Sequence, residues 1–293
     1  MNKTTGYQPS PPDLSIIQPF ITAGFAEDVH EGDHTSLSTI PADATDKAKL
    51  IVKDDGILAG VELARIIFSQ HDPRLKMTSF IADGTLVKKG DIAFEVEGPA
   101  RSILTAERLV LNCMQRMSGI ATVTWELVKL LEGLQTKVID TRKTTPGFRY
   151  FEKWAVRIGG GANHRAGLYD MILIKDNHVD YAGGIKNAIE AANKYLTEKN
   201  LSLKIEIEVR NFSELDEVLK TGKVDRILLD NFSPEDLGKA IRIIDKKFET
   251  EASGGIIASN IRKYAESGVD FISVGALTHS IKSLDLSLKA VRG

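Results

Sequence analysis

In the stretch Ile205-Glu206-Ile207-Glu208-Val209, the apolar side chains point to one face of a predicted β-strand and the glutamates to the other. In a half-buried sheet the acidic face is solvent, whereas in a barrel it is the interior, where two acids are costly unless they bind something. Five further short apolar runs lie nearby: Val138–Lys143, Met171–Lys175, Ile227–Asp230, Glu251–Ile256 and Phe271–Gly275. Such runs, separated by helical patterns, predict parallel strands buried by crossover helices.

The segments between these runs have the periodicity of helices. Ser233-Pro234-Glu235-Asp236 is a strong helix start, with a capping hydroxyl, a proline in the first turn and acids near the positive end. Apolar residues follow at helical spacing: Leu237, Ala240, Ile241, Ile244 and Phe248. A similar pattern begins at Ile185. The sequence therefore predicts an α/β fold in which strands and helices alternate.

Ligand groups of an α/β barrel gather on the rim at the carboxyl ends of its strands. Here that rim would carry Arg142, Lys143, Lys175, Glu208, Asp230, Ser253 and Gly275. The set combines cations and carboxylates with a glycine, which leaves room for a phosphate group beside the main chain. We therefore expect a phosphorylated, anionic substrate.

Composition excludes several classes of function. The chain has 293 residues, of which 42% are hydrophobic and 27% charged, and its net charge of −2 gives no field that would attract nucleic acid. No stretch approaches the roughly 20 apolar residues that span a bilayer, and the polar, proline-rich start lacks the pattern of a signal peptide. The single cysteine, Cys113, fits a reducing compartment. We expect a cytoplasmic protein without membrane or nucleic-acid partners, in which Cys113 is buried.

The first hundred residues have a different organisation. Short strand candidates are separated by turns: Leu50–Val52, Ile57–Ala59, Phe80–Ile81 and Ala93–Val96. One helix is predicted over Val61–Phe68, and strands without regular alternation of helices indicate an α+β sandwich. Gly98-Pro99 interrupts the secondary structure, and a long helix is predicted to begin near Thr105. We place the domain junction along this helix.

Two loops combine cations with small or hydroxyl residues. The segment 140–147 puts Arg142 and Lys143 among three threonines, where Arg can grip a carboxylate or phosphate with two hydrogen bonds. From these residues alone, a binding loop and a solvated turn are equally good interpretations. The segment 159–165 places His164 and Arg165 directly after three glycines, and these donors favour a binding loop over a merely flexible one.

Two features leave alternatives open. Lys175 at a strand end suits a Schiff base, as in class I aldolases, but it equally suits a contact with phosphate or carboxylate. Ser253-Gly254-Gly255 and Ser273-Val274-Gly275-Ala276 follow the last two predicted strands, where barrels commonly hold a phosphate. Two such turns in tandem favour a phosphate cradle over structural turns.

The chain resembles the quinolinate phosphoribosyltransferase family over nearly its whole length. The matching motifs are Glu27-Asp28, Gly32–Ser36, Glu107-Arg108, Ser118–Thr122, Asp140–Gly147, Asn163-His164-Arg165, Ile174–His178, Leu228–Phe232, Glu251–Ile256 and Val274–Ser280. His30 stands where relatives often have glycine. So many matches in one order are specific to the family.

The resemblance implies a reaction and a fold. The family transfers phosphoribosyl from phosphoribosyl pyrophosphate to quinolinate and decarboxylates it, which gives nicotinate mononucleotide, pyrophosphate and CO2 for NAD biosynthesis, with Mg2+ as cofactor. It implies an incomplete, TIM-like α/β barrel (118–276) and an N-terminal open α+β sandwich (1–117) joined by residues 277–293. A homodimer with sites shared between subunits is also implied.

The resemblance further implies a role for each matching residue. Quinolinate would be bound by Arg108, Arg142, His164, Arg165 and Lys175, with Arg108 serving the neighbouring subunit. Lys143, Lys175, Glu208 and Asp230 would be catalytic, and Glu208 and Asp230 would also hold the ribose and the metal, the latter directly or through the substrate. The phosphoribosyl and phosphate groups would meet Lys143, Glu208, Asp230, Ser253, Gly254, Gly255, Ser273 and Gly275.

Three other functions compete with this one. The related nicotinate phosphoribosyltransferases use a monocarboxylate and do not decarboxylate it. An aldolase would form a Schiff base at Lys175, and a non-catalytic module would bind the nucleotide without turnover. The full set of cations favours quinolinate.

Overall fold

The computed structural model describes residues 4–291. Its helices are α1 (Leu14–Asp28), α2 (His34–Thr39), α3 (Val61–His71), α4 (Ala100–Leu130), α5 (Arg149–Ile158), α6 (Asp176–Ala182), α7 (Ile185–Lys199), α8 (Phe212–Thr221), α9 (Pro234–Ile244), α10 (Ile261–Ala265) and α11 (Ala276–His279). Its strands are β1 (Thr45–Val52), β2 (Gly56–Ile57), β3 (Lys76–Ser79), β4 (Leu86–Val87), β5 (Ile92–Pro99), β6 (Lys137–Ile139), β7 (Ile172–Ile174), β8 (Ile205–Val209), β9 (Arg226–Asp230), β10 (Glu249–Ser253), β11 (Phe271–Ser273) and β12 (Leu286–Ala290). Within these residues, no helix combines the length and apolar character that a membrane span requires.

Contacts divide the chain into two compact units. One contains the residues up to Trp125, the segment Thr144–Gly160 and the residues from Leu277 onward. The other contains Glu126–Lys143 and Gly161–Ala276. Unlike the domains expected from the sequence, this division groups α5 with the N-terminal residues and runs through α4 and α11.

The first unit is built on an antiparallel sheet in the order β12-β1-β5-β3. Leu50 in β1 lies opposite Phe94 in β5 and Leu288 in β12, and all three are buried. The ring of Phe68 in α3 meets that of Phe94 edge-on, with centroids 6.1 Å apart. Burial of these apolar side chains joins helix and sheet in an α+β core.

Two local predictions in this unit were wrong. Phe80–Ile81 is not a strand, since β3 ends at Ser79 and the N–H groups of both residues donate to the Ala93 carbonyl. The long helix begins at Ala100 rather than near Thr105, because the Ala100 N–H donates to the Ala44 carbonyl and the chain enters α4 directly after Pro99.

The helices α1 and α2 were not predicted. The carboxyls of Asp13 and Asp33 cap them by accepting from the N–H groups of Ser15 and Ser36. His30, at the expected glycine position, has a φ of 46°, and this left-handed backbone explains why glycine suits the site.

The second unit contains the predicted parallel sheet, with six strands in the order β6-β11-β10-β9-β8-β7. The chain passes through β7 to β11 in spatial order, and β6 pairs with β11 and not with β7, which follows it along the chain. A sheet that wraps in this order without joining its edges is an incomplete barrel. The predicted fold class is therefore confirmed.

Helix α9 shows how the sequence sets element boundaries here. The Ser233 hydroxyl accepts from the Asp236 N–H at 3.1 Å, as expected for a capping residue. The helix ends at Ile244, and Asp245 and Lys246 adopt left-handed backbone, so Phe248 lies outside it.

Candidate active site

The parallel strands bring the predicted rim residues of the second unit to one edge of the sheet. Lys175 follows β7, Glu208 lies in β8, and Asp230 and Ser253 end β9 and β10. The loop after β6 carries Arg142 and Lys143, and Gly275 lies two residues beyond β11. Parallel strands all end at the same edge, which is where the sequence predicted a site.

Arg142 and Arg165 lie close enough for their charges to interact. The pKa of the Arg165 guanidinium is lowered, first by its burial and then by the charge of Arg142. Its Nη1 donates to the Met171 carbonyl at 3.1 Å, so the group is held in place. Like charges that are held together in a half-buried position favour the binding of an anion.

Lys175 is the N-cap residue of α6, and its side chain faces Glu208. Its Nζ lies 3.4 Å from Glu208 Oε2, and the Lys175 N–H donates to His178 Nδ1 at 2.9 Å. Burial raises the pKa of Glu208, the charge of Lys175 opposes that shift, and the neighbouring Asp230 adds to it. Because 49% of the Lys175 side chain is exposed beside a carboxylate, the lysine lacks the desolvated surroundings that Schiff-base chemistry needs.

Two donors fix the carboxylate of Asp230. Ser253 Oγ donates to Oδ1 at 2.5 Å, and Asn231 Nδ2 donates to Oδ2 at 2.6 Å. Asn231 has a φ of 56°, and its N–H donates to the Ser253 carbonyl at 2.9 Å. Asp230 is therefore oriented before any ligand arrives, while the Ser253 hydroxyl is engaged with the acid.

The turn after β10 needs glycine for two reasons. Gly254 has a φ of 95°, and a Cβ there would collide with the Asn231 side chain and lie 3.0 Å from the Asn231 nitrogen. Gly255 also has positive φ, at 62°. At the next strand end, the Ser273 side chain is buried and its Oγ lies 3.5 Å from the Ala252 carbonyl, so this hydroxyl is turned inward.

His164 is not on the open rim but belongs to a buried group of charges. Its Nε2 lies 3.0 Å from Glu206 Oε2 and 3.5 Å from Glu251 Oε2, and all three side chains are almost fully buried. Arg226 Nη1 donates to Glu251 Oε2 at 3.1 Å. The sequence indicated that Glu206 could face the interior, but it did not indicate Glu251 or Arg226.

Asp140 organises the loop that carries His164 and Arg165. Its buried carboxylate accepts from the His164 N–H at 2.9 Å and from Asn163 Nδ2 at 2.6 Å. The Ala162 N–H donates to the Val138 carbonyl of β6 at 2.9 Å. These contacts fix the segment after the three glycines, although the glycines themselves suggested flexibility.

In the first unit, a buried acid holds the turn that follows Lys143. Glu152 Oε2 accepts from the Thr145 N–H at 3.1 Å, and its Oε1 accepts from Arg116 at 2.7 Å. Arg116 also donates to the Thr278 carbonyl at 2.6 Å. Sequence reasoning missed this pair, although a glutamate on the apolar face of an amphipathic helix is a usable indicator.

Arg108 lies on α4 in the first unit. Its side chain is 65% exposed, and its Nη2 lies 3.6 Å from Glu107 Oε1. This contact is too long and too exposed to hold the guanidinium, which therefore remains available to a ligand.

Glu208 and Asp230 fit a magnesium ion by their chemistry. Mg2+ is usually held by one or two carboxylates together with water and substrate phosphates. The raised pKa of Glu208 has the nearby Asp230 charge among its causes, so a cation between the two acids would relieve their repulsion.

Comparison with known proteins gives one family. The model "Quinolinate phosphoribosyl transferase, N-terminal domain" matches residues 33–118, and the corresponding C-terminal domain model matches residues 120–289. A chloroplastic nicotinate-nucleotide pyrophosphorylase [carboxylating] of Arabidopsis thaliana is 46% identical over 96% of this chain and 84% of its own.

Solved structures agree with this result. The nicotinate-nucleotide pyrophosphorylase of Francisella tularensis superposes with a TM-score of 0.89 at 42% identity, covering 96% of this chain and 98% of its own. Human nicotinic acid phosphoribosyltransferase reaches a TM-score of 0.59 at 13% identity, covering 97% of this chain and 74% of its own, and this likeness concerns the fold alone.

Proposed function

The chain belongs to the quinolinate phosphoribosyltransferase family, and from that premise we propose how its rim residues carry out the family's reaction. The chain is a pentosyltransferase. It transfers phosphoribosyl from phosphoribosyl pyrophosphate to quinolinate with loss of CO2, and nicotinate mononucleotide and pyrophosphate are the other products. We assign the reaction to the rim because the guanidinium groups of Arg142 and Arg165 lie near each other there. A bound dianion such as quinolinate would relieve their mutual repulsion.

Quinolinate lies among the rim cations in this proposal. Arg142 and Arg165 each take one of its carboxylates, because a guanidinium matches a carboxylate with two parallel hydrogen bonds. Lys175 supplies a further charge, and Arg108 of the partner subunit completes the set. His164 fixes the loop that carries Arg165.

The ribosyl group lies against the two acids. Positive charge develops at the anomeric carbon as the bond to pyrophosphate breaks, and the carboxylates of Glu208 and Asp230 stabilise it without reorganising. Asp230 needs no reorganisation because Ser253 and Asn231 already hold it. When bound by Glu208 and Asp230, Mg2+ would supply charge neutralisation for the departing pyrophosphate.

The phosphates meet the cations and the glycine turns. Lys143 and Lys175 face the pyrophosphate, and the turns at Ser253, Gly254 and Gly255 and at Ser273 and Gly275 receive the 5′-phosphate through main-chain N–H groups. Once the ring nitrogen of quinolinate has bonded to the anomeric carbon in place of pyrophosphate, that nitrogen carries a positive charge. The bond between ring C2 and its carboxylate then breaks, CO2 leaves, and the electron pair stays on C2, where the adjacent positive nitrogen stabilises it. A proton from solvent takes up this pair, so decarboxylation needs no further protein group.

We propose a homodimer located in the cytoplasm. The dimer is supported by the exposure of Arg108 on α4, away from the strand ends in sequence. The location is supported by the single cysteine, which is buried, and by the absence of a membrane-spanning helix from residues 4–291.

The experiment measures release of CO2 from carboxyl-labelled quinolinate with and without phosphoribosyl pyrophosphate. We expect release only when both substrates and Mg2+ are present, together with stoichiometric nicotinate mononucleotide. Turnover of nicotinate but not quinolinate would instead identify a nicotinate phosphoribosyltransferase. Borohydride trapping of a carbonyl substrate on Lys175 would indicate the aldolase, and nucleotide binding without any turnover would indicate the non-catalytic module.

A further inference from the structure

Four charged or polar side chains form a buried cluster under the rim: His164, Glu206, Arg226 and Glu251. The side chains of both glutamates are at most 1% exposed, and that of His164 is 5% exposed. Among the described residues, neither oxygen of Glu206 has a hydrogen-bond partner, although the Nε2 of His164 lies 3.0 Å from one of them. Two acids in such surroundings are destabilising unless a proton or a cation offsets them.

Arg226 supplies a cation to the cluster. The guanidinium lies 4.0 Å from the centroid of the Phe271 ring and donates to both Glu249 and Glu251. Burial and the neighbouring Glu206 raise the pKa of Glu251 to about 8. Arg226 therefore offsets part of the negative charge that the two acids bring into the interior.

The hydrogen bonds of His164 determine where its own proton lies. The Arg165 N–H donates to His164 Nδ1 at 2.6 Å, so Nδ1 must keep its lone pair. The ring proton is then on Nε2, the nitrogen that faces the two acids.

The same arrangement argues against a metal at this position. The ligand atoms of His164, Glu206 and Glu251 lie within 4.8 Å of one another, which is the spacing of a cation site. A neutral imidazole with Nδ1 as acceptor has no lone pair on Nε2 to offer a metal. The geometry therefore suits a proton between these groups.

We propose that His164 is a positioning residue: Glu206 and Glu251 keep its proton on Nε2, and its Nδ1 holds the main chain of Arg165 so that this guanidinium faces the quinolinate carboxylate. The proposal rests on the proposed function for the identity of the ligand. In this proposal His164 is neutral and is not a cation that binds quinolinate. The two buried acids affect the quinolinate site through His164, without contacting the substrate.

The first test observes the proton directly in the free enzyme. The intact protein is labelled with 15N-histidine, and the His164 resonances are identified by their loss in His164→Gln among the six histidines. At neutral pH we expect an unprotonated Nδ1 and a protonated Nε2. A protonated Nδ1 would overturn the proposal without affecting the proposed reaction, because no substrate is present.

The second test compares His164→Asn with His164→Ala in direct binding of quinolinate. Asparagine can place its carbonyl oxygen where Nδ1 lies and so keep the acceptor for the Arg165 N–H. We expect His164→Ala to bind quinolinate roughly threefold to tenfold more weakly than His164→Asn, the effect of one net hydrogen bond. Equal losses would mean that the imidazole acts on quinolinate itself and would contradict the proposal.

The third test removes the acid nearest Nε2. Glu206→Leu is close in volume and leaves the rim residues unchanged. If it folds, as judged by a cooperative thermal transition, we expect altered His164 15N resonances and weaker quinolinate binding. Unchanged resonances in the folded variant would show that Glu206 does not fix the proton, and a variant that fails to fold leaves the first two tests decisive.

Discussion

The charged side chains at the rim are of two chemical kinds. Glu208 and Asp230 are carboxylates on adjacent strands, whereas Arg142 and Arg165 are cations held on loops. Acids suit the charge that develops on the ribose, and guanidiniums suit the charges that quinolinate carries before any reaction. The two groups should therefore affect different kinetic constants.

We expect Glu208→Gln and Asp230→Asn to reduce kcat on the order of a hundredfold while leaving quinolinate binding nearly unchanged. Interactions that exist only in the transition state lower turnover when they are lost. Steady-state kinetics and direct binding of quinolinate make the comparison. Asp216→Asn, which removes an exposed acid of α8, serves as the control. A variant of Glu208 or Asp230 that only weakens quinolinate binding would contradict the assignment.

We expect Arg142→Ala and Arg165→Ala to weaken quinolinate binding more than nicotinate binding. Nicotinate lacks one of the two carboxylates, and a charge-assisted hydrogen bond contributes about 1.5–3 kcal/mol, so selectivity should change roughly tenfold to hundredfold. Calorimetry with both ligands measures the ratio, and Arg262→Ala on α10 is the matched control. Equal losses for both ligands would place these arginines on the phosphates instead.

At the scale of elements, the turn after β10 contacts two parts of the proposed site. It carries the glycines proposed for the phosphate, and it presses against Asn231, which orients Asp230. In the proposed site, this strand end would couple phosphate binding to the position of Asp230, although the two groups lie on different strands.

We expect Gly254→Ala to lower the free energy of unfolding by more than the roughly 1–2 kcal/mol that left-handed backbone alone costs a residue with a Cβ. The excess comes from the collision with Asn231. Gly255→Ala is the matched control, since its φ is also positive but its Cβ would meet nothing within 4 Å. Urea unfolding of both variants measures the difference, and equal losses would show that Asn231 moves aside freely.

The elements were predictable to different degrees. β8 spans the same residues as predicted, and α9 starts at the predicted cap, because alternation and capping are properties of neighbouring residues. Phe80–Ile81 was wrongly predicted as a strand, because the N–H groups of both residues donate to the one carbonyl of Ala93 and regular strand pairing is interrupted there. The weak pattern of α1, which also contains Pro19, concealed that helix.

At the scale of the whole molecule, the proposed role of Arg108 determines whether one chain is sufficient. It lies on a helix before the first barrel strand, and its side chain is largely exposed. A two-fold dimer can bring such a residue to the partner's rim.

We expect the inactive variants Arg108→Ala and Asp230→Asn to restore activity when they are dissociated, mixed and reassociated. Half the dimers should then be mixed, each with one intact and one doubly altered site, so about a quarter of wild-type activity returns. The assay is formation of nicotinate mononucleotide, and each variant reassociated alone is the control. If mixed dimers form and stay inactive, Arg108 serves its own chain.

The amino-acid sequence alone was enough to identify the family, the alternation of strands and helices, and the residue types at the strand ends. Lys175, Glu208 and Asp230 could be placed on the rim because a parallel strand carries its last residues to a known edge. These conclusions need only local periodicity and the order of motifs along the chain.

How the rim residues are held depends on the tertiary structure. The ion pair between Arg226 and Glu251 and the donation from Ser253 to Asp230 join residues on neighbouring strands that are far apart in the chain. The burial of His164 beside Glu206 and Glu251 depends on how the strands pair. The protonation of a side chain depends on its surroundings, and those surroundings exist only once the sheet has formed.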